Sequence, residues 1–253
     1  NGLIQESGLT SAELVTNGDF SQEGSEQITN GDFATDSDWT KGTGWSISGG
    51  LASCDGSQSG NTDLTQIIAT SVGKQYKITY TVSNYLAGSI KIRLNSGNVS
   101  ISKSSNGTFT ETLSGQGGGF SLRADLDFIG SIDNVSIKEV GQDWTFVGES
   151  ELTAQGARIY SSSGSYSDVN QSNVFTIGNK YKITFNVIST NGTNLTNNGS
   201  TITYDTSTTG NKTFYITASE VELKFKRVAP IATDVTITNI SVIEIKTDVP
   251  RID

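Results

Sequence analysis

The stretch Gly73 to Asn84, GKQYKITYTVSN, returns 105 positions later as GNKYKITFNVIS, Gly178 to Ser189, and this recurrence constrains the fold more than any other feature. In the first copy Tyr76, Ile78, Tyr80 and Val82 alternate with Lys77, Thr79, Thr81 and Ser83. A period of two turns one face to a core and the other to water, the pattern of a half-buried strand. Tyr181, Ile183, Phe185 and Val187 repeat it against Lys182, Thr184 and Asn186. Two more landmarks share the offset: Asp38-Trp39-Thr40 with Asp143-Trp144-Thr145, and Ile132-Asp133-Asn134-Val135-Ser136 with Ile237-Thr238-Asn239-Ile240-Ser241. Three landmarks at one spacing predict two domains of one fold in tandem.

Many short alternating runs separated by Gly and Asn turns, with two prolines and few helix formers in any window, predict an all-β chain. The expected architecture is two antiparallel β-sandwiches, with the jelly roll as the commonest closed solution. The expected domains are 28–140 and 142–246, with Gly141 between them. Before them, Leu14-Val-Thr-Asn-Gly-Asp-Phe20 is echoed 13 residues on by Gln27-Ile-Thr-Asn-Gly-Asp-Phe33. Only the second copy leads directly into Trp39, so Ile28 to Phe33 reads as a first strand and 1–27 as an extended connector. Residues 247–253, with Pro250, read as a linker to something further. With no Met anywhere, the chain reads as a piece of a longer or processed polypeptide.

Charge and residue types exclude several functions. The formal net charge is −9 with no cluster of Lys or Arg in the sequence, which argues against nucleic acid, since that binding is driven by neutralising phosphates. No apolar run is long enough for a spanning helix. Cys54 is alone, so no disulfide forms within the chain. With no His, neither a Ser-His-Asp nor a Cys-His arrangement is available. Asp125 and Asp127 could in principle form a glycosidase pair, but Arg-Ala-Asp-Leu-Asp reads as a solvent-facing edge. The chain is therefore expected to have no catalytic residues and to be no enzyme.

Asn30-Gly31-Asp32-Phe33, a Trp a few residues on, a central G-x-x-Y-x-I/V-T strand and the closing Ile132-Asp133-Asn134-Val135-Ser136-Ile137 together resemble the jelly-roll carbohydrate-binding modules attached to xylanases and glucanases. The whole arrangement also resembles large virion proteins of tailed bacteriophages: tandem Asn-Gly-Asp-Phe segments, then Asp-Ser-Asp-Trp-Thr-Lys-Gly-Thr-Gly-Trp, and a late Val-Pro-Arg-Ile-Asp. That second resemblance implies a tail- or head-fibre or decoration segment on the virion surface. Its partners would be copies of itself, as trimers, other virion proteins and host-surface polysaccharide. The alternative is a glycan-binding part of a secreted bacterial polysaccharide-binding or polysaccharide-degrading protein.

The module resemblance carries two site expectations. Such modules stack aromatic rings on sugar faces, and Trp45, Tyr85, Tyr160, Tyr166 and Tyr204 are the aromatics not clearly on an inward strand face, although half-buried rim packing competes for each. Trp39 and Trp144 read as core. The modules also often staple first and last strands with a structural calcium, for which Asp32 and Asp133 are the candidates in the first domain. Against the metal, the family's acidic residue after the Phe is here Ala34, Asp133 is matched by Thr238 in the second domain, and a turn Asp bonding backbone amides would look the same.

Overall fold

A computed structural model describes residues 9–94, 98–197 and 202–246, so the expected linker 247–253 lies outside the described residues. All described regular structure is strand. In chain order β1 (Leu9–Glu13) comes first, followed by β2 (Glu23–Glu26), β3 (Thr40–Lys41), β4 (Trp45–Ser48), β5 (Leu51–Asp55) and β6 (Thr62–Gln66). Then come β7 (Gln75–Ala87), β8 (Ile90–Leu94), β9 (Asn98–Val99), β10 (Gly107–Ser114), β11 (Phe120–Ala124) and β12 (Ile129–Val140). The remainder are β13 (Thr145–Val147), β14 (Glu151–Thr153), β15 (Gly156–Ser161), β16 (Asp168–Gln171), β17 (Lys180–Thr190), β18 (Leu195–Thr196), β19 (Thr203–Tyr204), β20 (Gly210–Thr217), β21 (Leu223–Arg227) and β22 (Thr233–Lys246).

The strands form two compact units, and their boundaries correct the expected ones. One unit is Gln22–Gln142; the other combines Asn1–Ser21 with Asp143–Asp253. The first is therefore inserted in the chain of the second. In the continuous unit one sheet runs β10-β7-β12-β5-β4 with β2 on β12, and the other runs β3-β6-β11-β8-β9. In the discontinuous unit β20-β17-β22-β15-β14, with β1 on β22, is matched by β13-β16-β21-β18-β19. Strand order is the same in both, and every pairing is antiparallel.

The alternating strands bury what their pattern says. Tyr76, Ile78, Tyr80 and Val82 of β7 are buried, as are Tyr181, Ile183, Phe185 and Val187 of β17. The polar tips are handled locally: the Tyr76 hydroxyl accepts the Ser71 amide at 3.0 Å, and the Tyr181 hydroxyl accepts that of Thr176 at 2.7 Å. Opposite β7, Leu64, Ile92 and Leu122 complete one core. In the other unit Phe185 meets Phe225 of the facing sheet at 5.1 Å between ring centroids.

The Asn-Gly-Asp-Phe segments are turns, where Ile28 to Phe33 was expected as a strand; the strand is β2, just before it. Asn30 and Phe33 have φ of 53° and 51°, Asn17 and Phe20 51° and 61°, so each Phe swings inward from a left-handed backbone. Each Asn carbonyl then accepts the indole N–H of the core Trp: Trp39 on Asn30 and Trp144 on Asn17, both at 3.0 Å. Glycine is required between them because a Cβ on Gly31 would stand 2.0 Å from the Val135 carbonyl oxygen, and one on Gly18 2.0 Å from that of Ile240. The closing strands receive these glycines at a left-handed Asn, Asn134 or Asn239, each with φ of 53°. In β12 the ladder to β7 shifts register at this point, as it does at a bulge.

The described part of the expected connector, from residue 9 on, is thus built into the two sandwiches, up to Ser21 in one and from Gln22 in the other. Beside β1, the Glu13 carboxylate accepts the Leu14, Val15 and Val242 amides, as the Glu26 carboxylate accepts those of Gln27, Ile28 and Ile137 in the continuous unit. Two buried glutamines finish the staple. Gln66 takes the Thr29 amide at 2.9 Å and donates to the Thr29 carbonyl at 2.9 Å; Gln171 does the same to Thr16, at 3.0 and 2.9 Å.

Candidate functional site

Of the aromatic candidates, two are excluded by burial. Trp45 lies on the inward face of β4, 6.2 Å from the Phe128 ring, and Tyr204 is fully buried among Phe185, Phe214 and Phe225 with its hydroxyl donating to Asn197 Oδ1 at 3.1 Å. Tyr85 is half-buried at the rim of the same core as Trp45, its hydroxyl held by the Gly88 carbonyl at 3.0 Å. Tyr160 lies on the outward face of β15 with the Arg158 guanidinium 4.1 Å from its ring centre. That guanidinium is gripped in turn by Asp234, at 2.8 and 2.7 Å, and by Glu151 at 2.9 Å. Tyr166 is the one sugar-platform candidate that is well exposed, at 46%.

The residues expected to hold calcium do not fit the ion. Asp32 accepts the Ala34 amide at 3.4 Å, and Asp133 accepts the amide and the side-chain N–H of Asn134 at 2.6 and 2.9 Å. Among the described residues no group of three or more acidic, His or Cys side chains could hold a metal. A calcium wants six to eight oxygens, and both carboxylates serve local turns instead.

What the strand registers do bring together is a polar face on the outside of β3-β6-β11-β8-β9. Leu64, Ile92 and Leu122 point inward, so Asp63, Thr65, Lys91, Arg93, Ser121 and Arg123 point outward. Arg123 grips Asp63 with two bonds, Nε to Oδ1 at 2.8 Å and Nη2 to Oδ2 at 2.7 Å, and this partner raises its pKa. Arg93 Nη1 stands 3.8 Å from Asp63 Oδ2, at ion-pair range but beyond a hydrogen bond. Two clefts open here, of about 310 and 330 Å³, sharing Thr65, Gln66 and the exposed Ile67.

The corresponding face of the other unit lies on β16 and β21. Asp168 pairs in register with Lys226 as Asp63 does with Arg123, and Asn170 with Lys224 as Thr65 does across β6 and β11 with Ser121. Asp168 is fully buried; its Oδ1 accepts an N–H of the Asn170 side-chain amide at 2.7 Å, while its Oδ2 has no hydrogen-bond partner among the described residues. Tyr166 lies over this cluster with Lys226 Nζ 4.8 Å from its ring centre. Burial pushes the Tyr166 phenol up, and the neighbouring Asp168 carboxylate adds to it. Burial works against the Lys224 ammonium, but Glu222, at 2.7 Å, and Asp168 outweigh it and leave its pKa raised.

No family model matches the sequence, and comparison with curated proteins returns no match. Among solved structures, the chain is similar to the N-terminal CBM22-1–CBM22-2 tandem domain of Paenibacillus barcinonensis Xyn10C. Identity is 9% and the TM-score 0.34, over 88% of this chain and 97% of that one. A second similar structure is described as a CBM4, at 17% identity and a TM-score of 0.30, over 49% of this chain and 98% of that one. Neither likeness assigns a binding residue here.

Proposed function

We propose that this chain is a non-catalytic glycan-binding protein whose two sandwiches each offer the outward face of the five-stranded sheet to a polysaccharide. The observation that carries the reading is the recurrence of one register in both units: an Asp opposite a cation on the neighbouring strand, Asp63 opposite Arg123 and Asp168 opposite Lys226, beside hydroxyl or amide side chains on the same face of the same sheet. Sugar hydroxyls both donate and accept, so cations held beside hydroxyl and amide side chains on one sheet face can satisfy them from both directions. Tyr166 adds an exposed ring on which a sugar face can lie.

The setting we propose is a virion surface, with copies of the chain and other virion proteins as partners and host-surface polysaccharide as the target; the sequence resemblance supports it. A secreted bacterial polysaccharide-binding protein would use the same faces, and mass spectrometry of purified particles against culture supernatant separates the two. Glycan binding itself is tested by affinity electrophoresis through gels containing a panel of neutral and acidic polysaccharides. The expected result is retardation by at least one polymer, reduced by Arg93→Ala or Tyr166→Ala. Unretarded migration through every polymer would sink the proposal.

A further inference from the structure

We infer that the outward face of the continuous unit's five-stranded sheet takes an acidic, carboxylate-bearing polysaccharide. The inference deepens the glycan-binding reading and rests on it. Register lines the face up in two rows across β6, β11 and β8: Asp63, Arg123 and Lys91 in one, Thr65, Ser121 and Arg93 in the next. Neighbouring strands are about 4.8 Å apart, and side chains two residues apart on one strand about 7 Å. Three cations and one carboxylate therefore share a patch about 10 Å across, in a chain whose net charge is −9.

The patch retains positive charge after its own pairing. Asp63 is taken up by the Arg123 fork, Arg93 lies outside hydrogen-bond range of it, and Lys91 has no ion pair within 4 Å among the described residues. Nor do the cations wave in solvent: the side chains of Arg93 and Arg123 are 18% and 26% exposed, beside the cleft of about 310 Å³ that Arg93 helps to line. A partly desolvated guanidinium that makes no hydrogen bond to Asp63 matches the planar, two-oxygen geometry of a carboxylate. Thr65 and Ser121, in the row with Arg93, supply hydroxyls for the sugar's own. On the other unit the lysine at the Ser121 position, Lys224, is ion-paired with Glu222 at 2.7 Å and also faces the Asp168 carboxylate, so that face holds less unpaired positive charge.

A nucleic acid offers anions too, but among the described residues β6, β8 and β11 turn no aromatic side chain outward on which bases could stack, and three cations are few against a net −9. Repulsion from the rest of the acidic surface is screened beyond about 10 Å at 0.1 M salt, within which the local patch decides.

The test is titration of the full chain at 0.1 M salt with polygalacturonate, with its fully methyl-esterified form, and with a single-stranded oligonucleotide, next to a panel of neutral polysaccharides. Binding to the acid and not the ester is expected. It should weaken about tenfold or more in the Lys91→Gln/Arg93→Gln variant and measurably in Lys91→Gln alone, whose site is a strand surface. Lys182→Gln, on a sheet of the other unit, should bind as the parent does. Equal binding of acid and ester, or binding of neutral polymers alone, overturns the inference and leaves glycan binding standing. Oligonucleotide binding as tight as that of the acid overturns it in favour of a general polyanion surface. Binding to no polysaccharide overturns both.

Discussion

Phe20→Ala distinguishes a solvated connector from a turn built into a sandwich. In an extended connector Phe20 would be solvated, and its truncation would change stability by no more than about 0.5 kcal/mol. In the structure it is buried at 6% exposure, with its ring 5.2 Å from Trp144 and 6.4 Å from Phe146, more than a hundred residues away in sequence. Removing a buried phenyl ring costs about 3–5 kcal/mol, a large part of the roughly 5–15 kcal/mol that holds a domain. Hydrogen exchange reads this locally: the Ile183, Phe185 and Val187 amides should exchange roughly a hundred to several thousand times faster, while those of Ile78, Tyr80 and Val82 keep their protection. Phe33→Ala, 5.2 Å from Trp39, should do the reverse. Unchanged exchange in β17 after Phe20→Ala, or a response in β7 alone, would refute the nested assignment.

Glu26→Ala leaves the part-buried Ile28 and Ile137 amides without an acceptor and should cost about 2–4 kcal/mol in urea unfolding, with Glu26→Gln recovering part of it. A midpoint equal to the parent's would show that water replaces the carboxylate at no cost. Asp234 is held below the ordinary carboxylate range first by its bond to Arg158, so its contribution is present above that range and lost as pH falls through it. At 40% side-chain exposure, Asp234→Asn should cost under about 1 kcal/mol at pH 7 and progressively less as pH falls below the ordinary carboxylate range through its lowered pKa; a penalty independent of pH would contradict the ion-pair account. The Cys54 thiol is buried, and burial first and then the Asp55 and Asp125 carboxylates push its pKa up. A thiol reagent at pH 8 should therefore label it only as fast as the continuous unit opens, and fast labelling of the folded chain would contradict its placement.

What could be read from the sequence was what repeats at short range. Tyr76 to Val82 and Tyr181 to Val187 declare their buried faces by alternation alone, and the two Trp positions proved to be core. The 13-residue echo was equally visible, but its meaning depends on β1 pairing with β22 at the far end of the chain, and local periodicity does not encode a partner at that distance. β16 is not legible in the sequence, because only Val169 of Asp168–Gln171 is apolar. Its polar side chains are buried by Tyr166, the lysines of β21 and the Thr16 backbone, context that composition does not show. Tyr204 does not fall clearly on an inward strand face in the sequence pattern, yet it is buried, with the Asn197 amide oxygen meeting its hydroxyl inside. The basic face was hidden for a similar reason. Asp63, Lys91, Arg93 and Arg123 are scattered in sequence, so a search for Lys and Arg clusters misses them until register lines them up.

The nested order follows from where the ends of each sandwich lie. In the continuous unit the entering strand β2 pairs with the leaving strand β12, Glu23 opposite Val140, which puts the two backbones about 5 Å apart. A unit whose ends are neighbours can be spliced into a loop of another at little cost in loop closure, which grows only slowly with inserted length. The host splice lies after Phe20, at the position filled by Ala34 to Asp38 in the continuous unit. On either side of it the Asn17 carbonyl and the Trp144 indole are tied by the same 3.0 Å bond that Asn30 and Trp39 make across their short loop. The turn before the splice and the Trp after it are thus fixed to each other by contacts that do not pass through the inserted chain. Both sandwiches can keep one internal plan although only one is continuous in sequence.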